Sequence, residues 1–210
     1  MLIRPHDAAS DDDCRQLLGS HDFGQLIAAG AGRSVPVVVP SHFVFDGENT
    51  IHLHLAKPNP VWAAIDENPT VLLTVIADWA YVSTAMNAAP GADPTYGIPT
   101  SYYATVQATC TVRVLDDPSE KATVLTTQLG HFQPEGGHGG FDDPSKPFAK
   151  SLPAIRGLEL DIVGLTGKFK YGGNKSEDHR VLIAEALDAR SGPADHAAAG
   201  HVRRRSDTAR

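Results

Sequence analysis

Cysteine is nearly absent: Cys14 and Cys110 are the only two, far apart in a chain of 210 residues. They make neither a CxxC metal knuckle nor a disulfide framework, and read as reduced thiols of a cytoplasmic protein. Long apolar runs are also missing. None reaches the roughly 18 residues that a membrane span needs, and the opening MLIRPHDAASDDD lacks the apolar stretch of a secretory leader. Positive charge is scarce: 18 Lys and Arg stand against 25 Asp and Glu, a net charge of -7. That balance argues against nucleic-acid binding, which needs broad basic surface to displace counterions. GxGxxG, a Walker loop, GxSxG and HExxH do not occur. Phosphate-cradle, hydrolase-elbow and zinc-protease chemistry therefore find no support.

What is present is mostly strand. FGQLIAAGA reads as one, and VPVVVPSHFVFDGENTIHLHLAK as strands broken at the turn DGEN. PTVLLTVIADWAYVS is a continuous apolar run, expected as a central strand or one buried on both faces. TSYYATVQATCTVRVLDD carries β-branched residues at period two, and RGLELDIVGLTGKFKY reads as the last strand. Helices are predicted after the cap Ser10, over PNPVWAAIDEN and PSEKATVLTTQLGHF, and over SEDHRVLIAEALDAR with Ser176 as cap. Ala85–Pro99 and QPEGGHGGFDDPSKP read as loops, and EGGHGG is the candidate for a mobile lid. The pattern predicts an α+β fold, a split antiparallel β-barrel with peripheral helices. Residues 1–192 are expected as one cofactor-binding domain and 193–210, with HVRRRSDTAR, as a disordered basic tail.

Against the acidic background, GKFKYGGNKSEDHR collects Lys168, Lys170, Lys175 and Arg180. Lys168 and Lys170 share a strand face at period two, with Phe169 on the other. Such lysines either guard a solvated strand edge or face an anion. HLAKPNPVW is a second basic element, placing His54 and Lys57 at a strand end and Asn59 before a helix. Two such elements converging make an anion pocket for a phosphate or carboxylate. His52 and His54 at i, i+2 are either metal ligands or polar positions on a half-buried strand. A lone imidazole also suffices as the axial ligand of a haem. Tyr102 and Tyr103, in TYGIPTSYYATV, are either ordinary strand aromatics or proton donors in a confined site.

Five stretches taken in order resemble the PaiB-type FMN-binding family of split β-barrel proteins: HLAKPNPVW, ADWAYVST, IPTSYYATVQ, VLDDP and LPAIRGLELDIVGLTGKFKYGGNK. The resemblance runs from about Phe23 to Arg180. It implies a split barrel, usually a homodimer, with cofactor bound at the subunit interface. The family's HxARxNPxW stretch matches His54, Lys57, Asn59 and Trp62. Its GKxKxxxN stretch matches Lys168, Lys170 and Asn174. The lysines are thereby expected to pair with the anionic group of a cofactor or substrate. Where the family has THLPF, AYISPSWY, PTWNY and KLSQN, this chain has VPSHF, AYVSTAMN, PTSYY and KYGGN. In this it is similar to the family's piperazate synthase branch, which holds haem b in place of flavin. That similarity implies a haem b enzyme forming the N–N bond of L-piperazate from N5-hydroxy-L-ornithine with loss of water. His54 is then the axial ligand, and Tyr102, Tyr103 and Lys168 are the catalytic candidates. The alternative is an FMN-binding PaiB-like protein, either a flavin oxidoreductase or a negative transcriptional regulator.

Overall fold

Turn residues and period-two patterning set out seven strands. In the computed structural model, which describes residues 1–141 and 145–204, these are β1 (Phe23–Ala28), β2 (Val37–His42), β3 (Val44–Phe45), β4 (Thr50–Ala56), β5 (Thr70–Val82), β6 (Thr100–Leu115) and β7 (Ile155–Lys170). They form one antiparallel sheet in the order β2-β1-β5-β6-β7-β4-β3, which does not close on itself. The fold is α+β and of split-barrel class. At DGEN the Asp46 carboxylate accepts from the amides of Glu48, Asn49 and Thr50, an Asx-type turn that reverses the chain into β4.

Among the described residues seven α-helices accompany the strands: α1 (Asp11–Ser20), α2 (Val61–Glu67), α3 (Thr84–Asn87), α4 (Pro118–Phe132), α5 (Pro147–Ser151), α6 (Glu177–Arg190) and α7 (Asp195–Arg204). Their starts follow from capping. Ser10 Oγ accepts from the Asp13 amide, while the Asp13 carboxylate accepts from the Ser10 amide, a reciprocal capping box. Asp117 accepts from the amides of Ser119 and Glu120, with Pro118 in the first turn of α4. Ser176 accepts from the His179 amide at the start of α6.

Packing resolves two compact units. The first comprises 1–13, 76–106 and 166–210; the second comprises 14–75 and 107–165. β5, β6 and β7 each give a segment to both. In the second unit β1 pairs with β2 and β5, and β4 with β3 and β7, all antiparallel. α4 lies across β4. Leu18, Leu26, Phe43, Ile51, Leu53, Leu73, Leu158 and Leu160 are the large side chains fully buried there. In the first unit Tyr102, Tyr171, Ile183 and Leu187 hold that place, and α6 packs along α7.

Three expectations meet a different outcome. The apolar run of β5 is not buried on both faces: Ile76, Trp79 and Tyr81 are 66%, 61% and 54% exposed. Asp78, at φ 50, is the extra residue that shifts the alternation, so buried positions move from Val71, Leu73, Val75 and Ala77 to Ala80 and Val82. This is a β-bulge. The loop Ala85–Pro99 holds the end of α3 and a 3₁₀ turn at Pro94–Tyr96. The stretch expected as a disordered tail contains α7, because Asp195, Ala198, Ala199 and Val202 bury one helical face. Residues 205–210 of that stretch, and 142–144 of the expected loop QPEGGHGGFDDPSKP, lie outside the described residues.

Candidate functional site

The end of β7 and the turn after it build a cavity of about 870 Å³ in the first unit, a volume usual for small-ligand sites. Its cations are Arg4, Lys168, Lys170 and Lys175, gathered from the N-terminal segment, β7 and the loop before α6. The N-terminal segment is held there by backbone pairing, Ala8 bridging Lys168 and the Ala9 amide donating to the Gly167 carbonyl. Lys168 Nζ donates to the Leu2 carbonyl at 2.8 Å, and Lys170 Nζ to Thr100 Oγ1 at 2.5 Å. Burial, then the neighbouring charge of Lys168, hold the Lys170 pKa below its ordinary value, with Asp7 opposing and Arg4 adding. An anion among these amines would offset that cost.

Tyr102 also lines this cavity. It is 2% exposed, and burial, with the charge of Asp7 adding, pushes its pKa up to about 12. The phenol therefore stays protonated and keeps its donor. Its oxygen sits beneath the turn at Gly172: a Cβ on that glycine would lie 2.5 Å from Tyr102 Oη and 3.5 Å from the Lys175 Cδ. Glycine is required there by φ +73 as well.

Asn87 and His179 complete the wall. The Asn87 amide donates from Nδ2 to the Ile98 carbonyl, which turns Oδ1 the other way. Burial, with the charge of Lys175 adding and the Asn87 backbone opposing, lowers the His179 pKa. Tyr102 Oη, Asn87 Oδ1 and His179 Nε2 are all buried with no hydrogen-bond partner among the described residues. Buried polar atoms are seldom left in that condition, and all three residues line this cavity.

The other expected residues are placed as follows. Asn174 lines the same cavity. Tyr103, on the opposite strand face from Tyr102, has the Lys168 amine 5.6 Å from its ring centroid. Lys57 lines a different cavity, about 740 Å³, in the second unit with Trp62, Asp116 and Arg156. There Arg156 stacks over Trp62 at 4.7 Å and pairs with Asp116 through two hydrogen bonds. Asn59 Oδ1 accepts from the Val61 amide at 3.0 Å, securing the start of α2. His54 Nδ1 and Gln128 Oε1 of α4 lie 2.6 Å apart, while His52 meets Glu159 at 3.4 Å. The two basic elements read from the sequence thus line separate cavities. Among the described residues no group of three or more His, Cys, Asp or Glu is arranged to hold a metal ion, and no helix is long and apolar enough to cross a membrane. Asn87, the last residue of α3, stands in the departing stretch AYVSTAMN, and His179 in the predicted helix SEDHRVLIAEALDAR, but nothing in the sequence links either to Tyr102.

Comparison with known proteins agrees with this architecture. The flavocytochrome Anf3 from Azotobacter vinelandii superposes with a TM-score of 0.58 at 18% identity, over 79% of this chain and 70% of that one. The FAD and haem binding protein from Mycobacterium smegmatis gives 0.59 at 18%, over 80% and 74%. At these identities the likeness is one of fold. No curated protein sequence matches the chain. A family model described as "Putative FMN-binding domain" matches residues 1–163, well over half of the 210, so the chain belongs to the FMN-binding split-barrel family.

Proposed function

We propose that this protein binds FMN through the cavity of the first unit and works as a flavin oxidoreductase. The observation that carries the reading is the gathering of Arg4, Lys168, Lys170 and Lys175 on one cavity in a chain of net charge -7. Those amines match a phosphate in charge and donor type, and Arg4, Lys168 and Lys170 are the residues that would hold it. Bound FMN supplies a ring that takes up and returns a hydride. The protein's part is to fix the phosphate, exclude water and present donors; the Tyr102 phenol, kept protonated, is the proton-bearing group of this cavity. The reading also includes a homodimer. Ile76, Trp79 and Tyr81 form an exposed apolar strip on β5 that a second copy would cover.

A second reading, a haem b cyclase converting N5-hydroxy-L-ornithine to L-piperazate, has one observation in its favour. The His54 ring is fixed through Nδ1 by Gln128, the kind of outer hydrogen bond that orients a metal-binding imidazole. His54 would hold the iron, which supplies Lewis acidity.

Absorbance of the purified protein separates the two: bands at roughly 370 and 450 nm for flavin, one near roughly 400 nm for haem. Titration then tests the site. FMN is expected to bind at least about tenfold more tightly than riboflavin, and Lys168→Gln with Lys170→Gln to erase most of that preference. Equal binding of FMN and riboflavin to the unmodified protein would overturn the phosphate assignment. A haem band lost in His54→Ala would establish the second reading instead.

A further inference from the structure

The amines account for the phosphate of a bound FMN, and the same cavity carries large apolar side chains for which a phosphate has no use. Leu2, Tyr96 and Ile98 line it and are 76%, 77% and 79% exposed. They stand beside the cations. Lys168 Nζ bonds the Leu2 carbonyl. Lys170 Nζ bonds Thr100, two residues beyond Ile98 and no more than about 7 Å from it along the backbone.

The backbone bearing Tyr96 and Ile98 is pinned, although its side chains are left in solvent. The Asp93 carboxylate accepts from the Thr95 amide at 2.8 Å and from the Thr95 hydroxyl at 2.6 Å. The Tyr96 amide donates to the Asp93 carbonyl at 3.0 Å, and Asn87 Nδ2 donates to the Ile98 carbonyl. Gly97 is extended, at φ -67 and ψ 143, and a Cβ on it would strike the Thr84 carbonyl and the Ala88 amide. Successive residues of an extended chain point to opposite faces, so Tyr96 and Ile98 both project away from α3. They stand about 7 Å apart on one face, an aromatic ring beside a branched alkyl group. Apolar groups held out together on a cavity wall mark a contact surface.

Cations and apolar groups on one cavity select the occupant. An apolar protein surface laid over it would strip water from Arg4, Lys168, Lys170 and Lys175 without pairing them. A ligand that joins an anion to a flat apolar ring meets both, and FMN is such a ligand. We propose that Tyr96 and Ile98, with Leu2, form the platform on which the flavin ring rests. The inference rests on the flavin reading of this cavity and adds to it the residues that hold the ring. Tyr96 offers a π-face for offset stacking, and Ile98 and Leu2 extend the apolar contact.

Fluorescence titration of the full-length protein with FMN and with riboflavin tests this. Tyr96→Ala is expected to weaken both flavins by at least about fivefold. It should leave the ratio of FMN to riboflavin affinity unchanged, because it removes a ring contact and no charge. Ile98→Ala should also weaken both, and Tyr96→Phe, which keeps the ring, should bind as the unmodified protein does. The two alanine variants should melt at the unmodified Tm, since the truncated side chains lie in solvent, so lost binding is not lost structure. Lys168→Gln with Lys170→Gln has the converse effect, removing the ratio while riboflavin binding stays. Equal binding of FMN and riboflavin, with both weakened by Tyr96→Ala, overturns the phosphate assignment and upholds the platform. An FMN preference with affinities untouched by Tyr96→Ala and Ile98→Ala overturns the platform and upholds the phosphate assignment. Absence of flavin binding overturns both. A Tyr96→Ala variant that halves the mass seen by light scattering with flavin affinity intact overturns the platform and gives these residues to a second copy.

Discussion

Gly172 shows how much one position can settle. Its φ of +73 lies where a residue with a Cβ loses about 1–2 kcal/mol, and the Cβ would also meet the Tyr102 hydroxyl at 2.5 Å. Gly172→Ala is therefore expected to lower unfolding free energy by about 1–3 kcal/mol. In the Tyr102→Phe background the oxygen is gone, so the same glycine change should cost less, the remainder being backbone strain. Denaturant melts of the two single variants and the double variant give the coupling directly. Full additivity would mean that the phenol is not packed against this turn. Tyr102→Phe alone should be close to neutral for stability, since it deletes a buried hydroxyl that has no partner among the described residues.

At the scale of elements, α7 and β5 are the informative pair. α7 is tied down by charge as well as by its apolar face. Asp195, 3% exposed, accepts from Arg190 Nε at 2.6 Å and from the Gly192 amide at 2.8 Å. His201 bonds the Asp78 carboxylate at 2.7 Å and stacks on Tyr171. Asp195→Ala leaves Arg190 without that carboxylate and is expected to cost about 1–3 kcal/mol, several degrees in Tm. An unchanged Tm would show that α7 contributes nothing to the first unit. Sequence reading took the stretch as a tail because its alanines and arginines carry little apolar weight; small residues packing close on α6 supply what the pattern hides. In β5 the strand itself was legible from its apolar run. Its exposed face was not, because Asp78 inserts one residue and moves Trp79 and Tyr81 onto the side that Ile76 already occupies.

For the whole molecule, the exposed strip Ile76, Trp79 and Tyr81 bears on assembly. A strand face this apolar is uncommon on a monomer. With the proposed dimer, light scattering should give twice the 22.3 kDa chain mass, and Trp79→Glu should bring it to one, because a carboxylate placed in an apolar interface carries its full desolvation cost. A wild-type protein already at 22.3 kDa would remove the dimer from the reading.

By itself the sequence determined most of the local structure: the main strands, the helices α1, α2, α4 and α6, where Ser10 and Ser176 cap, and that Lys168 and Lys170 share one face of the last strand. These follow from period, capping chemistry and turn residues, all of which act over a few positions. Tertiary structure alone decided which distant residues share a cavity. It set Lys57 and Lys168 on different cavities, put Asn87, His179 and Tyr102 on one, and turned His54 toward Gln128. Burial and hydrogen-bond partnership are properties of neighbours in space, and no spacing within one stretch of chain encodes them.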